Sequence, residues 1–246
     1  MKSIKMLLAF SGCVLLTVAA HGVSGVSASS VPAGAEPVAS LSRQDSNKLI
    51  YADFETSNNG RPVSSRGGWV QINAGAETPS RPSTFKGMAS PNDNAPDIVR
   101  PSKDSPNKAI AFDYQLQGPN QWANVGVEVH GLPDKDGKPA ADDVTGYKDL
   151  SLQVYATGLP ALKVILNSHG NGITTNAYPE LTFKVTPGFN TYHIILKALG
   201  QPQWGDPRVN AKDVLKNLTS VIVMASCGPC NSSKGTIVID NMVFEK

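Results

Sequence analysis

The sequence has no large excess of charge of either sign, and this limits the partners that it can bind. Its 22 Lys plus Arg and 20 Asp plus Glu among 246 residues give a net charge of +2. Lys2 and Lys5 lie in a segment that we expect to be removed, so the remaining chain carries 20 charges of each sign. Proteins that bind a phosphate backbone gain affinity from clustered positive charge. The sequence therefore predicts no nucleic-acid partner.

Aromatic residues and helical patterns are also scarce. Phe, Trp and Tyr make up 7% of the chain, whereas glycine occurs 22 times and proline 18 times. This composition favours many short strands joined by turns over long helices. Only residues 213–217 show a helical pattern, for about one turn, and a parallel α/β sheet needs a crossover helix between its strands. We therefore predict an all-β protein, an antiparallel two-sheet sandwich of jelly-roll type.

The apolar run at residues 6–20 is shorter than the roughly 20 residues that span a bilayer, so we expect no membrane span. The run follows two lysines and precedes small residues, which is the plan of a secretory signal peptide. Acylation at Cys13, as in a lipoprotein, is an alternative. We predict a signal peptide at residues 1–28, a flexible linker at 29–47 and one β-sandwich domain at 48–246, in a secreted or periplasmic protein.

After residue 48, short segments of alternating apolar and polar residues are separated by turn residues. In residues 108–117, Ile110, Phe112 and Tyr114 share one face and Asp113 lies on the other. Residues 74–106 contain six prolines and no clear period, so we expect mostly loop there. The predicted strands are residues 49–54, 69–72, 108–117, 123–130, 150–157, 162–168, 181–185, 191–196, 220–225 and 236–244.

The sequence lacks the common motifs of hydrolytic enzymes. It has no G-x-S-x-G elbow, no H-E-x-x-H zinc signature and no phosphate-binding glycine loop. Three histidines follow the expected signal peptide, His130, His169 and His193, at spacings that match no metal motif. We therefore expect a protein without catalytic residues. A jelly-roll polysaccharide lyase or hydrolase remains an alternative, because one fold serves many functions.

Five short motifs follow one another between residue 48 and the last residue. They are Asp53-Phe54-Glu55, Gly67-Gly68-Trp69, Trp122 ahead of a valine-rich strand, Gly146-Tyr147-Lys148-Asp149-Leu150 and Ile239-Asp240-Asn241-Met242-Val243-Phe244. In this order they resemble the galactose-binding-like jelly roll. The chain is most similar to the non-catalytic carbohydrate-binding modules found beside bacterial glycanases, and to the complex I intermediate-associated proteins. The resemblance implies the fold and suggests a glycan ligand.

The resemblance also implies one structural calcium ion that ties the first strand to the last. The matching positions are Glu55 and Asp240, with Asp53 as a third candidate. Calcium takes six to eight oxygen ligands, so backbone carbonyls would have to complete the shell. In the alternative interpretation, Asp240 caps a turn and Glu55 is solvated.

The string Cys227-Gly228-Pro229-Cys230 has the sequence of a thioredoxin redox motif. In thioredoxins the reactive thiolate lies at a helix N-terminus. Here the string is followed by a turn and a predicted strand, so the helix is missing. We predict a small structural disulfide between Cys227 and Cys230 in an exported protein, with redox catalysis as the alternative.

Sugar rings present apolar C–H faces and a rim of hydroxyls, so a binding surface needs aromatic rings beside amide, carboxylate or imidazole groups. Trp69 and Trp122, next to the starts of strands, are assigned to packing. We expect a polysaccharide or oligosaccharide to bind on a sheet face or at a loop site. The candidate residues are Gln153, Tyr155, Asn167 and His193 on outward faces, His169 and Tyr178 at segment ends, and Trp204 in a loop.

A second function class also fits the sequence. A secreted sandwich without a catalytic domain could serve as a structural, adhesion or matrix component that binds a protein partner. Such a protein would need no sugar-binding surface, so binding to glycans separates the two classes.

Overall fold

The computed structural model describes residues 46–75, 94–131, 135–138, 140–173, 175, 177–228 and 232–246. The expected signal peptide with Cys13, and the linker up to residue 45, lie outside these residues. The described chain consists mainly of strands, with one short α-helix. The strands are β1 (Lys48–Ala52), β2 (Ser57–Asn58), β3 (Arg61–Pro62), β4 (Val70–Ala74), β5 (Asp97–Val99), β6 (Ala109–Leu116), β7 (Gln121–Glu128), β8 (Asp149–Ala156), β9 (Ala161–Asn167), β10 (Glu180–Lys184), β11 (Asn190–Ile195), β12 (Ser220–Cys227) and β13 (Ser233–Glu245).

Two antiparallel sheets form the domain. The six-stranded sheet has the order β11-β8-β13-β6-β5, with β1 also pairing with β13. The five-stranded sheet has the order β10-β9-β12-β7-β4, and β2 and β3 form a small separate hairpin. This arrangement confirms the predicted antiparallel two-sheet sandwich.

The two-residue period places alternate side chains in the core. In β9, Leu162, Val164 and Leu166 are at most 1% exposed, whereas Lys163 and Asn167 on the other face are half-buried. Full burial of one such aliphatic side chain stabilises the fold by about 1.5–3 kcal/mol. The buried faces of both sheets contribute to one continuous hydrophobic core.

Most of the predicted strands agree with the structure to within about two residues. The main difference is β5, which pairs with β6 inside the segment that we expected to be loop. β13 is also longer than predicted, and its pairing with β8 is interrupted by a register shift between Asp240 and Val243.

The predicted helical turn is the helix α1 (Ala211–Lys216), and the Asn210 side chain caps its first turn by accepting a hydrogen bond from the Lys212 N–H at 2.9 Å. Among the described residues, no helix combines the length and the apolar character required to cross a membrane.

Candidate functional site

A long depression lies on the outer face of the five-stranded sheet. It consists of four adjoining cavities of about 590, 390, 410 and 570 Å³. Successive cavities share lining residues, so together they form one continuous surface that we call the groove. The shared residues are Trp69, Trp122, Glu128, His130, Gly131, Ala140, Asn167, Ser220 and Ile222.

Trp122, Tyr178 and Trp204 line one end of the groove. The Trp204 side chain is the most exposed large apolar group of the described chain, at 69%. Its loop is nevertheless held in place, because Arg208 donates to the carbonyl oxygens of Pro202 and Gln203 at 3.1 and 2.8 Å. An exposed aromatic ring on a braced loop loses little conformational freedom when a ligand stacks on it.

The floor of the groove is formed by β7, β12 and β9. Ile222 on β12 lies between Gly126 on β7 and Ile165 on β9 in the strand pairing. Asn167, at the end of β9, lines three of the four cavities. Its Oδ1 accepts a hydrogen bond from the His169 backbone N–H at 2.8 Å, which fixes the orientation of the amide. The floor thus combines an apolar centre with an oriented amide group.

Trp69 and His130 lie at the other end of the groove. Arg66 donates two hydrogen bonds to the Asp142 carboxylate, one of them at 2.8 Å. His130 Nε2 lies 3.7 Å from Asp142 Oδ1. Burial, with a smaller contribution from the Arg66 charge, lowers the pKa of His130, so this imidazole is neutral at pH 7.

Among the described residues, the groove contains the ion pair between Lys163 and Glu180 and one unpaired acidic side chain, Glu128. Lys163 Nζ contacts Glu180 Oε1 at 2.7 Å on the floor near Tyr178. Glu128 lines two of the cavities, and burial raises the pKa of its carboxyl group. Glu128 thus places an acidic side chain near the Trp69 end of the described groove.

The structure separates the seven predicted sugar-binding residues into two sets. Asn167, His169, Tyr178 and Trp204 line the groove, although Tyr178 is only 8% exposed and donates its hydroxyl to the Ile173 carbonyl oxygen at 3.0 Å. The remaining three, Gln153, Tyr155 and His193, belong to β8 and β11 of the six-stranded sheet. The first set lies at the end of β9 and in loops beside the five-stranded sheet, and the second lies in strands of the six-stranded sheet, so the structure does not bring the two sets together in one site.

Trp69 and Trp122, which the sequence analysis assigned to packing, both line the groove. Trp69 is 38% exposed. The strand alternation contained the signal that we missed. Side chains an even number of residues apart in a strand lie on the same face of the sheet. Trp122 therefore shares the outer, polar face of β7 with Glu128, and Trp69, just before β4, is on the same side as the half-buried Gln71.

Asp240 lies where the calcium prediction requires a carboxylate. Its side chain is 1% exposed and accepts hydrogen bonds from the Asn241 backbone N–H at 2.7 Å and side-chain amide at 3.0 Å. The pKa of Asp240 is raised to about 6, mainly by burial and to a smaller extent by the negative charges of Glu55 and Asp53, while the hydrogen bond from the Asn241 backbone N–H lowers it. A buried carboxylate in this environment is suited by its charge to a cation.

The other two candidate ligands have partners of their own. Glu55 Oε1 accepts a hydrogen bond from the Lys108 backbone N–H at 2.8 Å, and Asp53 Oδ1 accepts one from the Glu55 N–H at 3.3 Å. In the part of the chain that is described, no cluster of three or more Asp, Glu, His and Cys side chains could hold a metal ion. A calcium ion at Asp240 would therefore need backbone oxygens as ligands, and it stays a prediction.

Cys227 is the last residue of β12 and is 1% exposed. Cys230 lies outside the described residues, so the predicted bond between them also stays a prediction. The chain resumes at Ser232 and enters β13 at Ser233. In the described chain Cys227 ends a strand and another strand begins at Ser233, so no helix that could activate a thioredoxin-like thiol begins at Cys227.

Comparisons with known proteins identify the fold. No family model and no curated protein matches this sequence. The family 11 carbohydrate-binding module from Clostridium thermocellum, in complex with a beta-1,3-1,4-mixed-linked tetrasaccharide, matches with a TM-score of 0.52 and 13% identity over 81% of this chain and 95% of that chain. A family 30 carbohydrate-binding module matches with a TM-score of 0.50 and 9% identity over 80% of this chain and 100% of that chain.

At these identities the likeness concerns the fold alone. The resemblance to complex I intermediate-associated proteins stays a prediction. The described domain is thus an antiparallel two-sheet jelly roll whose structural neighbours are carbohydrate-binding modules.

Proposed function

We propose that this chain is a secreted, non-catalytic carbohydrate-binding protein and that a polysaccharide or oligosaccharide binds in the groove. The observation that carries the proposal is the pair of tryptophan-lined ends, Trp69 at one and Trp122 with Trp204 at the other. Indole rings stack on the C–H faces of sugars. Between the two ends, Asn167 and Ser220 supply amide and hydroxyl groups that can bind sugar hydroxyls.

Two further observations support the proposal. A protein of the same fold binds a mixed-linked tetrasaccharide, so the fold is compatible with a linear glycan. The sequence of residues 1–28 has the pattern of a secretory signal peptide, which would bring the domain to extracellular polysaccharides.

Affinity electrophoresis tests the proposal. The purified protein is run on native gels that contain soluble mixed-linked β-glucan, xylan or mannan. We expect retardation on at least one gel and its loss in the double variant Trp122→Ala, Trp204→Ala, because each stacking contact contributes about 0.5–1.5 kcal/mol. The double variant Gln153→Ala, Tyr155→Ala, on the six-stranded sheet, is the matched control and should migrate like the original protein.

Two electrophoretic results would contradict glycan binding in the groove. The first is migration unaffected by every glycan, which would favour a structural or adhesion protein with a protein partner. The second is retardation lost only in the control variant, which would place the site on the six-stranded sheet. Release of reducing ends from the bound glycan would contradict the non-catalytic part of the proposal, and would point to a lyase or hydrolase.

A further inference from the structure

Glu128 is the one charged side chain of the described groove without a partner of opposite charge. Its carboxylate has no hydrogen bond or ion pair within the described chain, while Lys163 is paired with Glu180 and Arg66 with Asp142. Glu128 ends β7, and its backbone N–H donates to the Trp69 carbonyl oxygen at 2.8 Å. The carboxylate therefore lies beside the Trp69 end of the groove.

Gly126, two residues earlier on the same face of β7, leaves the floor open. A Cβ atom at this position would have no neighbour closer than 3.9 Å, the Cγ1 atom of Ile222, and the backbone does not have a positive φ. Neither packing nor conformation therefore requires glycine here. The missing side chain of Gly126 leaves free space in the groove beside Ile222.

The open floor lies between the two aromatic ends of the groove. Trp122 and Glu128 are the second and last residues of β7, so about 20 Å of extended strand separates them. Gly126 lies on this path, and a chain of sugars that contacts Trp122 and Trp69 together has to pass over it and beside Glu128.

We infer that Gly126 and Glu128 determine which glycans the groove accepts: Gly126 admits a continuous chain across the floor, and Glu128 excludes polyanionic chains. The inference rests on the proposed function and names its ligand class, a linear neutral glycan. An ionised carboxylate accepts strong hydrogen bonds from sugar hydroxyls. It repels a uronate or sulfate group, and because Glu128 is partly buried, solvent screens this repulsion less than at an open surface.

The charge is tested with Glu128→Gln, which keeps the size and hydrogen-bonding capacity of the side chain. Binding is measured by titration calorimetry at pH 8 against the neutral glycan that retards the original protein and against polygalacturonate. We expect the original protein to prefer the neutral glycan, and Glu128→Gln to bind polygalacturonate at least about fivefold more tightly than the original protein. This gain should shrink in 0.5 M salt, since the Debye length is then well below 10 Å.

The open floor is tested with Gly126→Val. We expect an unchanged melting temperature and a loss of about tenfold or more in affinity for the neutral glycan, because the new side chain fills the space above Ile222. Gly126→Ala should show a smaller loss, so the test does not depend on folding of the valine variant. Ser151→Val on β8 of the six-stranded sheet is the control and should bind like the original protein.

The outcomes separate this inference from the proposed function. Equal binding of neutral and anionic glycans, no gain in Glu128→Gln, or full affinity in Gly126→Val would overturn the inference while glycan binding itself stood. A protein that binds none of the glycans would overturn both.

Discussion

The hydroxyl group of Tyr51 donates a hydrogen bond of 2.6 Å to the Val127 carbonyl oxygen and so connects β1, on the six-stranded sheet, to β7 on the five-stranded sheet. It also accepts a hydrogen bond of 3.2 Å from the Val221 N–H on β12. Tyr51 is 1% exposed, and burial raises the pKa of its hydroxyl far above the ordinary value. Tyr51 is thus a polar link through the interior of the sandwich.

Removal of this hydroxyl is expected to destabilise the domain. Tyr51→Phe leaves a buried carbonyl and a buried N–H each with one partner fewer, at a cost of about 1–3 kcal/mol. Urea unfolding measures the change. Tyr155→Phe, whose hydroxyl makes no hydrogen bond within the described chain, should cost less than about 0.5 kcal/mol. Equal stability of the two variants would show that the Tyr51 link contributes nothing.

Gly68 is expected to tolerate no side chain. A Cβ atom there would overlap the carbonyl oxygen of Glu128. Gly68→Ala should therefore push the backbone at residue 68 away from the end of β7 and lower the free energy of unfolding by at least about 2 kcal/mol. Thermal unfolding provides the measurement. Gly146→Ala is the control, because a Cβ atom at that position has no neighbour within 4 Å. A Gly68→Ala protein as stable as the control would contradict the close approach.

If calcium binds at Asp240, chelation will lower stability. Calcium at 100 times its dissociation constant would stabilise the fold by about 2.7 kcal/mol, and excess EDTA should remove that increment. Asp240→Asn should abolish the response to calcium while stabilising the metal-free protein, because it neutralises a buried carboxylate. Asp104→Asn, at an exposed position, is the control. Identical melting curves with calcium and with EDTA would exclude the ion.

The Glu128 carboxyl group should make stability depend on pH. Its pKa is raised by burial from 4.5, so the folded protein holds this proton more tightly than the unfolded chain does. The protonated carboxyl group therefore contributes to the stability of the folded protein. This contribution is fully present below the pKa of the unfolded chain and is lost as the pH rises through the higher pKa of the folded protein. Glu128→Gln should therefore gain stability relative to the original protein between pH 4 and pH 7. Chemical unfolding of both proteins at these two pH values measures the difference, and a gap independent of pH would contradict it.

The cysteine pair should stabilise the loop between β12 and β13 without redox activity. We expect alkylation of the unfolded, unreduced protein to find no free thiol. Cys230→Ser should lower the free energy of unfolding by about 2 kcal/mol, a small effect because a disulfide that closes only four residues restricts the unfolded chain little. Reduction of insulin by the protein above the background rate would instead support a thioredoxin-like role.

The alternation of apolar and polar residues correctly predicts which side chains of a strand face the core and which face solvent. It does not predict which of the two sheets the strand joins. The outward assignment of Gln153 and Asn167 agrees with their half-buried positions on β8 and β9. Both sheets of a sandwich have an outer face, however, and the pairing that separates β8 from β9 involves β12 and β13, far away in sequence. The period of two contains no information on such distant pairings.

Two other features were beyond the reach of the sequence for local reasons. β5 has three residues, Asp97–Val99, too few to show a period. Trp69 and Trp122 are large apolar side chains, and the general tendency of such side chains to be buried outweighed their position in the alternation. Trp69 departs from this tendency, since it is 38% exposed.

The pairing of β1 with β13 brings residues 48 and 245 side by side, and the Lys246 N–H donates to the Asn47 carbonyl oxygen at 3.0 Å. Both ends of the domain therefore leave from the layer that does not contain the groove. A resin, dye or fused reporter attached at either end would leave the Trp69–Trp204 surface accessible. For the same reason, a short peptide could join residue 246 to residue 47, and new ends could be opened in a distant turn to give a circularly permuted domain.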